Sequence, residues 1–206
     1  MLGAVILAGG EGDRIGGDKP FTELGGKNLV SYVLEAASKV SDEIVVVVGA
    51  DRVERFETLL PDVHVAVDIA SGGGPLIGVY SGLRRLRSEY AVALPCDSPF
   101  ISETVLRYLI GKAEGVDAAI PRWPNGYLEP LHSVYRASAA LRECEEAMER
   151  GGSRIHSMIE RLERTAYVPV EELRRFDPDL LTFFNINSVE DLERAEAILK
   201  LKGRKK

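Results

Sequence analysis

Two cysteines, three histidines and one tryptophan are all that 206 residues contain of those types. Cys96 and Cys144 offer no paired metal-ligand spacing, and two thiols make no disulfide framework. Both read as small buried residues of a reducing compartment. No Ser–His or Cys–His constellation stands out, so no covalent intermediate is indicated. No apolar stretch approaches the roughly 18 residues of a membrane span. Met1 leads straight into an apolar strand with no basic segment before it, which gives no sign of a secretory signal. Positive charge is not in excess either: 26 Lys and Arg stand against 32 Asp and Glu, for a net charge of −6. A nucleic-acid binder shows a basic face, so this balance argues against one. The expectation is a cytoplasmic protein with no nucleic-acid and no membrane partner.

Hydrophobic residues make up 45% of the chain, enough to fill the core of one large domain. An acidic protein that binds an anion needs local cations or a metal, because its overall field repels the ligand. Those cations stand in one stretch, residues 4–20. The apolar run Ala4-Val5-Ile6-Leu7-Ala8 reads as a buried strand and stops at Gly9-Gly10. A glycine-rich loop follows, carrying Arg14 and Lys19 and closed by Pro20. Without Cβ atoms such a backbone comes close to a ligand, and its N–H groups meet anionic oxygens. Two cations in the same loop make a triphosphate a natural guest. The loop is not a P-loop, since Lys19 is followed by Pro20 rather than Ser or Thr. Nor is it the dinucleotide fingerprint, since Ile15 stands where the third glycine belongs.

Along the chain, strands alternate with helices. Residues 29–39 carry Val30, Val33, Leu34 and Ala37 on one helical face, with Asn28 as N-cap. The β-branched run 43–49 suits a parallel strand covered on both faces. A helix over 52–60, a strand over 63–67 and a helix from Pro75 to residue 87 follow. Strands at 90–95 and 116–121 flank a helix at 103–112 capped by Ser102. This order predicts a parallel α/β sheet, whose ligands sit at the carboxyl ends of the strands. The 9–19 loop, Asp68 and Asp97 all fall at such ends. Further on, Asn125-Gly126 signals a tight hairpin turn, with 128–135 as the returning strand. Helices are expected over 137–148 and, capped by Ser153, around 155–162. A strand over 165–168 and an extended segment over 183–187 precede the last helix, which Ser188 caps and which runs to about residue 200. Asp191 stands where a capping box carries Glu or Gln, so the box is read as incomplete. The fold class is a single Rossmann-like three-layer α/β/α domain over 1–200. Its sheet is mostly parallel, with an antiparallel strand in the second half, and residues 201–206 form a basic tail.

The chemistry falls on few residues. Lys19 and Arg14 hold a triphosphate and offset charge as pyrophosphate leaves; the alternative is two solvated loop cations. Asp97, past an apolar strand, suits a Mg²⁺ ion shared with phosphates, since such sites need one or two protein carboxylates; the alternative is a turn aspartate before Pro99.

The string Leu7-Ala8-Gly9-Gly10, Arg14, Gly16-Gly17 and Lys19 resembles the signature of nucleotidyltransferases that activate phosphorylated sugars and pterins. With Cys96-Asp97-Ser98-Pro99 and Gly74-Pro75-Leu76, the match is to the molybdenum cofactor guanylyltransferase family. The resemblance implies that the backbone of Leu7, Ala8, Gly9 and Gly10 reads the base. It implies that Asp97 binds the metal, and that Asp68 belongs to the nucleotide site. Near Asp51-Arg52 the family has Asn-Arg, with the Asn at the nucleotide; Asp51 accepts from guanine N–H groups but cannot donate. Glu129-Pro130 and Asn185-Ile186-Asn187 resemble segments that line the pterin side, which makes 1–121 the nucleotide-binding half and 122–200 the acceptor-binding half. His132 reads as a core or edge histidine rather than a base.

The implied reaction is GMP transfer from GTP to the phosphate of molybdopterin, with Mg²⁺ and release of pyrophosphate. Molybdoenzymes or cofactor-delivery proteins are the macromolecular partners implied, and the chain is expected as a monomer or weak homo-oligomer. The alternatives keep the loop and change the acceptor (a cobamide precursor, a sugar phosphate, phospholactate) or the base (a CTP-dependent molybdopterin cytidylyltransferase). A further alternative is a non-catalytic nucleotide-binding scaffold for molybdoenzymes.

Overall fold

The computed structural model describes residues 1–9, 18–60, 63–68 and 74–203. Gly10, Arg14, Gly16-Gly17 and Gly72-Gly73 lie outside the described residues. The sheet strands are β1 (Leu2–Leu7), β4 (Glu43–Val48), β5 (His64–Val67), β6 (Tyr90–Pro95), β7 (Ala118–Arg122), β8 (Ser133–Arg136) and β9 (Thr165–Pro169). A separate small hairpin pairs β2 (Glu23–Leu24) with β3 (Lys27–Asn28). The sheet order is β5-β4-β1-β6-β8-β7-β9, and β8 is antiparallel to both of its neighbours while the other pairs are parallel. The mostly parallel sheet and the antiparallel strand of the second half are both as expected.

Side chains alternate across this sheet, and each face carries its own core. Ala4, Ile6, Val46, Val48, Val92 and Leu94 face one way. They meet α1 (Leu29–Ser38), α2 (Val53–Leu59) and α4 (Glu103–Ala113) through Val33, Phe56 and Leu106. Val5, Val45, Val47, Ala91 and Ala93 face the other way. They meet α3 (Gly74–Leu83), α5 (Ala137–Glu149) and α6 (Ile155–Ile159) through Val79, Ala140 and Met158. A strand buried on both faces has no polar side to show, which is why residues 44–48 are continuous isoleucine and valine. The remaining helices are α7 (Val170–Leu173) and α8 (Val189–Gly203). Leu24, Leu29, Phe100, Ile186 and Ala195 make a third cluster that ties α8 to the small hairpin. Among the described residues, no helix is long and apolar enough to cross a membrane.

Helix α3 lies very close to the sheet. A Cβ at Gly82 would sit 2.3 Å from Val5 Cγ1, and one at Gly78 would sit 2.9 Å from Leu7 Cδ2. The two glycines let the helix backbone approach β1, and so set the height of its first turn above the strand ends.

Several local expectations are corrected. Asn28 makes no side-chain cap; it pairs with Glu23 in the small hairpin instead. The helix from Gly74 ends at Leu83 rather than 87. Its last turn tightens (Arg85 N to Gly82 O, 3.0 Å), and the Glu43 carboxylate takes the next N–H groups, Arg87 at 2.8 Å and Ser88 at 2.7 Å. The Asn-Gly turn forms, with Trp123 N on Tyr127 O at 2.8 Å. Its returning segment is not one strand, because Pro130 opens a 3₁₀ turn at Pro130–His132 and has no N–H for a ladder. The strand begins only at Ser133. Arg154, not Ser153, occupies the cap position of α6. Leu181–Phe183 is a 3₁₀ turn, held in part by Thr182 N on Asp177 Oδ2 at 2.7 Å, so the extended segment starts only at Phe184. Ser188 does cap α8, and the box is complete with aspartate: Asp191 N donates to Ser188 Oγ at 3.1 Å and Ser188 N donates to Asp191 Oδ2 at 3.1 Å. Helix α8 runs to Gly203 and takes in the start of the tail.

Candidate active site

From β1 the chain moves outward through β4 to β5, then crosses back over α3 to β6 on the other side of β1. The sheet order reverses between β1 and β6, and the crevice at such a point is where open α/β sheets hold ligands. A cleft of 440 Å³ lies there, lined among others by Leu7, Gly9, Lys19, Asp68, Gly74 and Asp97. Five of these are residues singled out from the sequence; Asp68 follows β5, Asp97 follows β6 and Lys19 follows the glycine-rich loop.

Lys19 and Asp97 are in direct contact, and Lys19 Nζ also donates to Asn187 Oδ1 at 2.7 Å. The two charged side chains are only 16% and 12% exposed, so water screens the pair weakly. Asp97 Oδ2 takes the ammonium. Asp97 Oδ1 is buried and has no hydrogen-bond partner among the described residues. An unsatisfied carboxylate oxygen is a donor atom for a hard cation. Among the described residues no group of three or more His, Cys, Asp or Glu side chains is gathered for a metal. A cation at Asp97 would therefore complete its shell with phosphate oxygens and water, which suits Mg²⁺. Burial pushes the neighbouring Cys96 thiol up, well above its ordinary value, so it is no nucleophile.

The end of β1 is fixed from three sides. Ala8 N donates to Val47 O at 2.8 Å, and Cys96 N donates to Leu7 O at 3.1 Å. Arg52 Nη1 reaches Ala8 O at 3.4 Å. The same guanidinium lies 3.9 Å from Asp18, which is also paired with Arg55. The residue just before Lys19 is thus tied to the start of α2. Asp51 is 81% exposed and does not line the cleft. At this position the sequence points to Asp51, and the structure points to its neighbour Arg52. The signal for the clasp is the i, i+3 spacing of Arg52 and Arg55, one face of a helix start.

A second cavity of 310 Å³ adjoins the first and shares Pro75, Pro95 and Leu131 with it. Glu129, Pro130 and Asn185 line it. It also contains Tyr127, Ser153 and Arg154, which sequence reasoning missed. Their signal was the Gly151-Gly152 pair followed by a hydroxyl and a cation, a pattern that offers donors to an anion. Asn187 joins the first cavity through Lys19. The structure thus gathers Leu7, Gly9, Lys19, Asp68 and Asp97 on one side and Glu129, Pro130 and Asn185 on the other. Gly10 and Arg14 lie outside the described residues.

Residues 4–165 match the family model of the MobA-like NTP transferase domain. A probable molybdenum cofactor guanylyltransferase of Pyrococcus furiosus is 40% identical over 208 residues, covering 97% of this chain and 99% of that protein. One of Methanosarcina mazei is 39% identical over 197 residues, covering 92% and 88%. Among solved structures, molybdopterin-guanine dinucleotide biosynthesis protein A from Archaeoglobus fulgidus superposes with a TM-score of 0.82 at 36% identity, over 96% of this chain and 98% of that one.

Proposed function

This chain belongs to the MobA-like NTP transferase family, and we propose that it transfers GMP from GTP to the phosphate of molybdopterin, forming the guanine dinucleotide and releasing pyrophosphate. The observation that carries the reading is the pair of adjoining cavities with Lys19 and Asp97 beside their shared wall. One cavity takes the nucleotide and the other takes the acceptor, so the two phosphates meet at Pro75, Pro95 and Leu131. The first half of the chain supplies most of the nucleotide side. The 127–156 region and Asn185 supply the acceptor side.

The chemistry needs little covalent help. An acceptor phosphate oxygen forms a bond to the α-phosphorus of GTP. The bond from that phosphorus to the bridging oxygen breaks, and pyrophosphate leaves with the electron pair. The nucleophile is already an anion, so no general base is called for. The protein's part is to position and to neutralise charge. Lys19 meets the charge that develops on the phosphates. Asp97 would hold Mg²⁺, which would supply positive charge to the phosphates and stabilise the leaving group. The carbonyls and N–H groups at the end of β1, clamped by Arg52 and the neighbouring strands, face the base. Arg154 and Ser153 offer donors to the acceptor phosphate.

Calorimetric titration of GTP, CTP, ATP and UTP with Mg²⁺, followed by assay of guanine dinucleotide formation from molybdopterin, tests the reading. Mg²⁺-dependent preference for GTP and formation of the dinucleotide are expected. Preference for CTP would move the protein to a cytidylyl transfer, and absence of nucleotide binding would overturn the enzyme reading.

A further inference from the structure

His132 is 1% exposed and lines the second cavity. The proposed reaction assigns it no role. Its Nε2 lies 3.2 Å from Ser98 Oγ. Ser98 Oγ in turn donates to Asn185 Oδ1 at 2.5 Å. On its other side, Nδ1 has no hydrogen-bond partner among the described residues and faces Glu129 Oε2 at 3.8 Å. Glu129 is itself held, with Trp123 Nε1 on its Oε1 at 2.7 Å and Ser133 Oγ on its carbonyl at 2.6 Å. The edge of the His132 ring meets Phe183 at a centroid distance of 5.2 Å. The imidazole is therefore held in place, and its one side-chain hydrogen bond among the described residues runs to Ser98.

A hydroxyl has a single proton to give. Ser98 gives its proton to Asn185, so it can only accept from His132. That requires the proton of the imidazole to sit on Nε2. The chain of bonds then has one direction: His132 Nε2–H to Ser98 Oγ, and Ser98 Oγ–H to Asn185 Oδ1. With Oδ1 engaged, the amide presents its NH₂ donors elsewhere, and no other hydrogen bond holds them among the described residues. Asn185 lines the acceptor cavity. The same segment is stitched to the metal-side loop by Ile186 N on Asp97 O at 3.0 Å and by Asn187 on Lys19. We propose that His132 is a positioning residue which, through Ser98, fixes the Asn185 amide so that its NH₂ donors face the anionic acceptor. The reversed chain, with the proton on Nδ1, would make Ser98 donate to His132. Asn185 would then have to turn its NH₂ toward Ser98 and show its carbonyl oxygen to an anion, which repels it.

The inference rests on the assignment of the second cavity to the acceptor, and two measurements keep the two claims apart. The first is kinetic. The amide of a glutamine at 132 reaches the Nε2 position and keeps the donor to Ser98; that of an asparagine reaches only the Nδ1 position and loses it. His132→Gln is expected to keep the acceptor KM within about threefold of wild type, whereas His132→Asn raises it about tenfold, the size of one lost hydrogen bond. Mg²⁺-GTP affinity is expected to stay within about twofold in both, since the first cavity is untouched. A merely structural histidine would instead lower the melting temperature in both variants and shift GTP affinity and acceptor KM together, and that result overturns the proposal. The second measurement needs no turnover. Long-range ¹H–¹⁵N correlation spectra of the full chain, with the His132 signals assigned by their loss in His132→Gln, report the tautomer directly. A protonated Nε2 supports the chain as drawn; a neutral ring protonated at Nδ1 overturns it, whether or not the protein makes the dinucleotide.

Discussion

The ammonium of Lys19 rests on Oδ2 of Asp97, a residue 78 positions away, while Oδ1 of the same carboxylate has no partner among the described residues. One carboxylate thus holds the lysine and leaves an oxygen that, in the proposed reaction, takes a cation. Asp97→Asn removes both functions without changing shape. Its expected effect is a fall in turnover on the order of 10²–10³-fold, the range seen when one preorganised electrostatic group is lost from a transition state. The melting temperature should fall as well, because the pair is only 16% and 12% exposed and removing one partner of a buried pair costs up to about 3–5 kcal/mol. Initial rates of pyrophosphate release across a Mg²⁺ series, with a thermal melt of each protein, check both parts. Unchanged Mg²⁺ dependence in the variant would remove Asp97 from the metal site.

Asn187 shares the lysine with Asp97, at 2.7 Å, and so steers a group it does not resemble chemically. Lys19→Ala should cost far more than Asn187→Ala, which is expected to lower kcat by about three- to tenfold, the loss of one hydrogen bond. Because the asparagine acts through the lysine, the two effects should not add. A double-mutant cycle in kcat reads this: the Lys19→Ala/Asn187→Ala protein should be no slower than Lys19→Ala alone. Full additivity would mean that Asn187 works on the substrate by itself.

Glu43, at the start of β4, closes the end of α3. Burial opposes its charge. The Ser88 hydroxyl, then the backbone N–H groups of Arg87 and Ser88, outweigh that and hold its pKa below the ordinary 4.5. The folded value lies below the unfolded one, so the stabilisation is complete above pH 4.5 and fades as pH falls through the folded value. Glu43→Gln should therefore be less stable than wild type near neutral pH and should approach it in acid. Urea midpoints of both proteins from pH 7 down to about pH 3 show this, the range spanning the ordinary carboxylate values. A gap that stays constant with pH would show that the charge of Glu43 contributes nothing.

The features legible in one dimension were those with local cause. A doubly buried strand must be apolar throughout, and residues 44–48 are. A phosphate loop must be glycine-rich and cationic, and its exit at Lys19 entered the cleft as expected. Asp97 and Asp68 line the cleft because both follow strand ends, where open α/β sheets form their crevices. What stayed hidden depended on pairing across the chain. The β2–β3 hairpin is too short for any period, and only Gly25 and Gly26, at φ +59° and +81°, turn it. The placement of β8 between β6 and β7 is set by partners, not by its own residues. Pro130 could have warned that 128–135 was not a single strand. Asp191 was read as a failed capping box because its side chain is one methylene short of glutamate, yet it reaches both the Asn187 and Ser188 N–H groups at 3.1 Å. Nothing in sequence spacing joins His132 to Ser98, 34 residues away, or brings Arg154 to the second cavity.

Gly82 links packing to the site. Its missing Cβ would lie 2.3 Å from Val5 Cγ1 and 3.0 Å from Val47 Cγ2, and both valines are buried in the sheet with no room to swing away. Gly82→Ala must lift α3 from β1. Overpacking of this kind costs about 1–3 kcal/mol, which in a chain of this length lowers the melting temperature by roughly 2–4 °C per kcal/mol. The lift is transmitted along the helix to Gly74 and Pro75, which line the cleft proposed for the nucleotide. GTP affinity should therefore fall in parallel with stability, whereas Gly111→Ala, where a Cβ meets nothing within 4 Å, should leave both unchanged or raise stability slightly. Thermal melts and GTP titrations of the two variants separate the outcomes. A Gly82→Ala protein that loses stability but binds GTP as wild type would show that the first turn of α3 keeps its place when its far end moves.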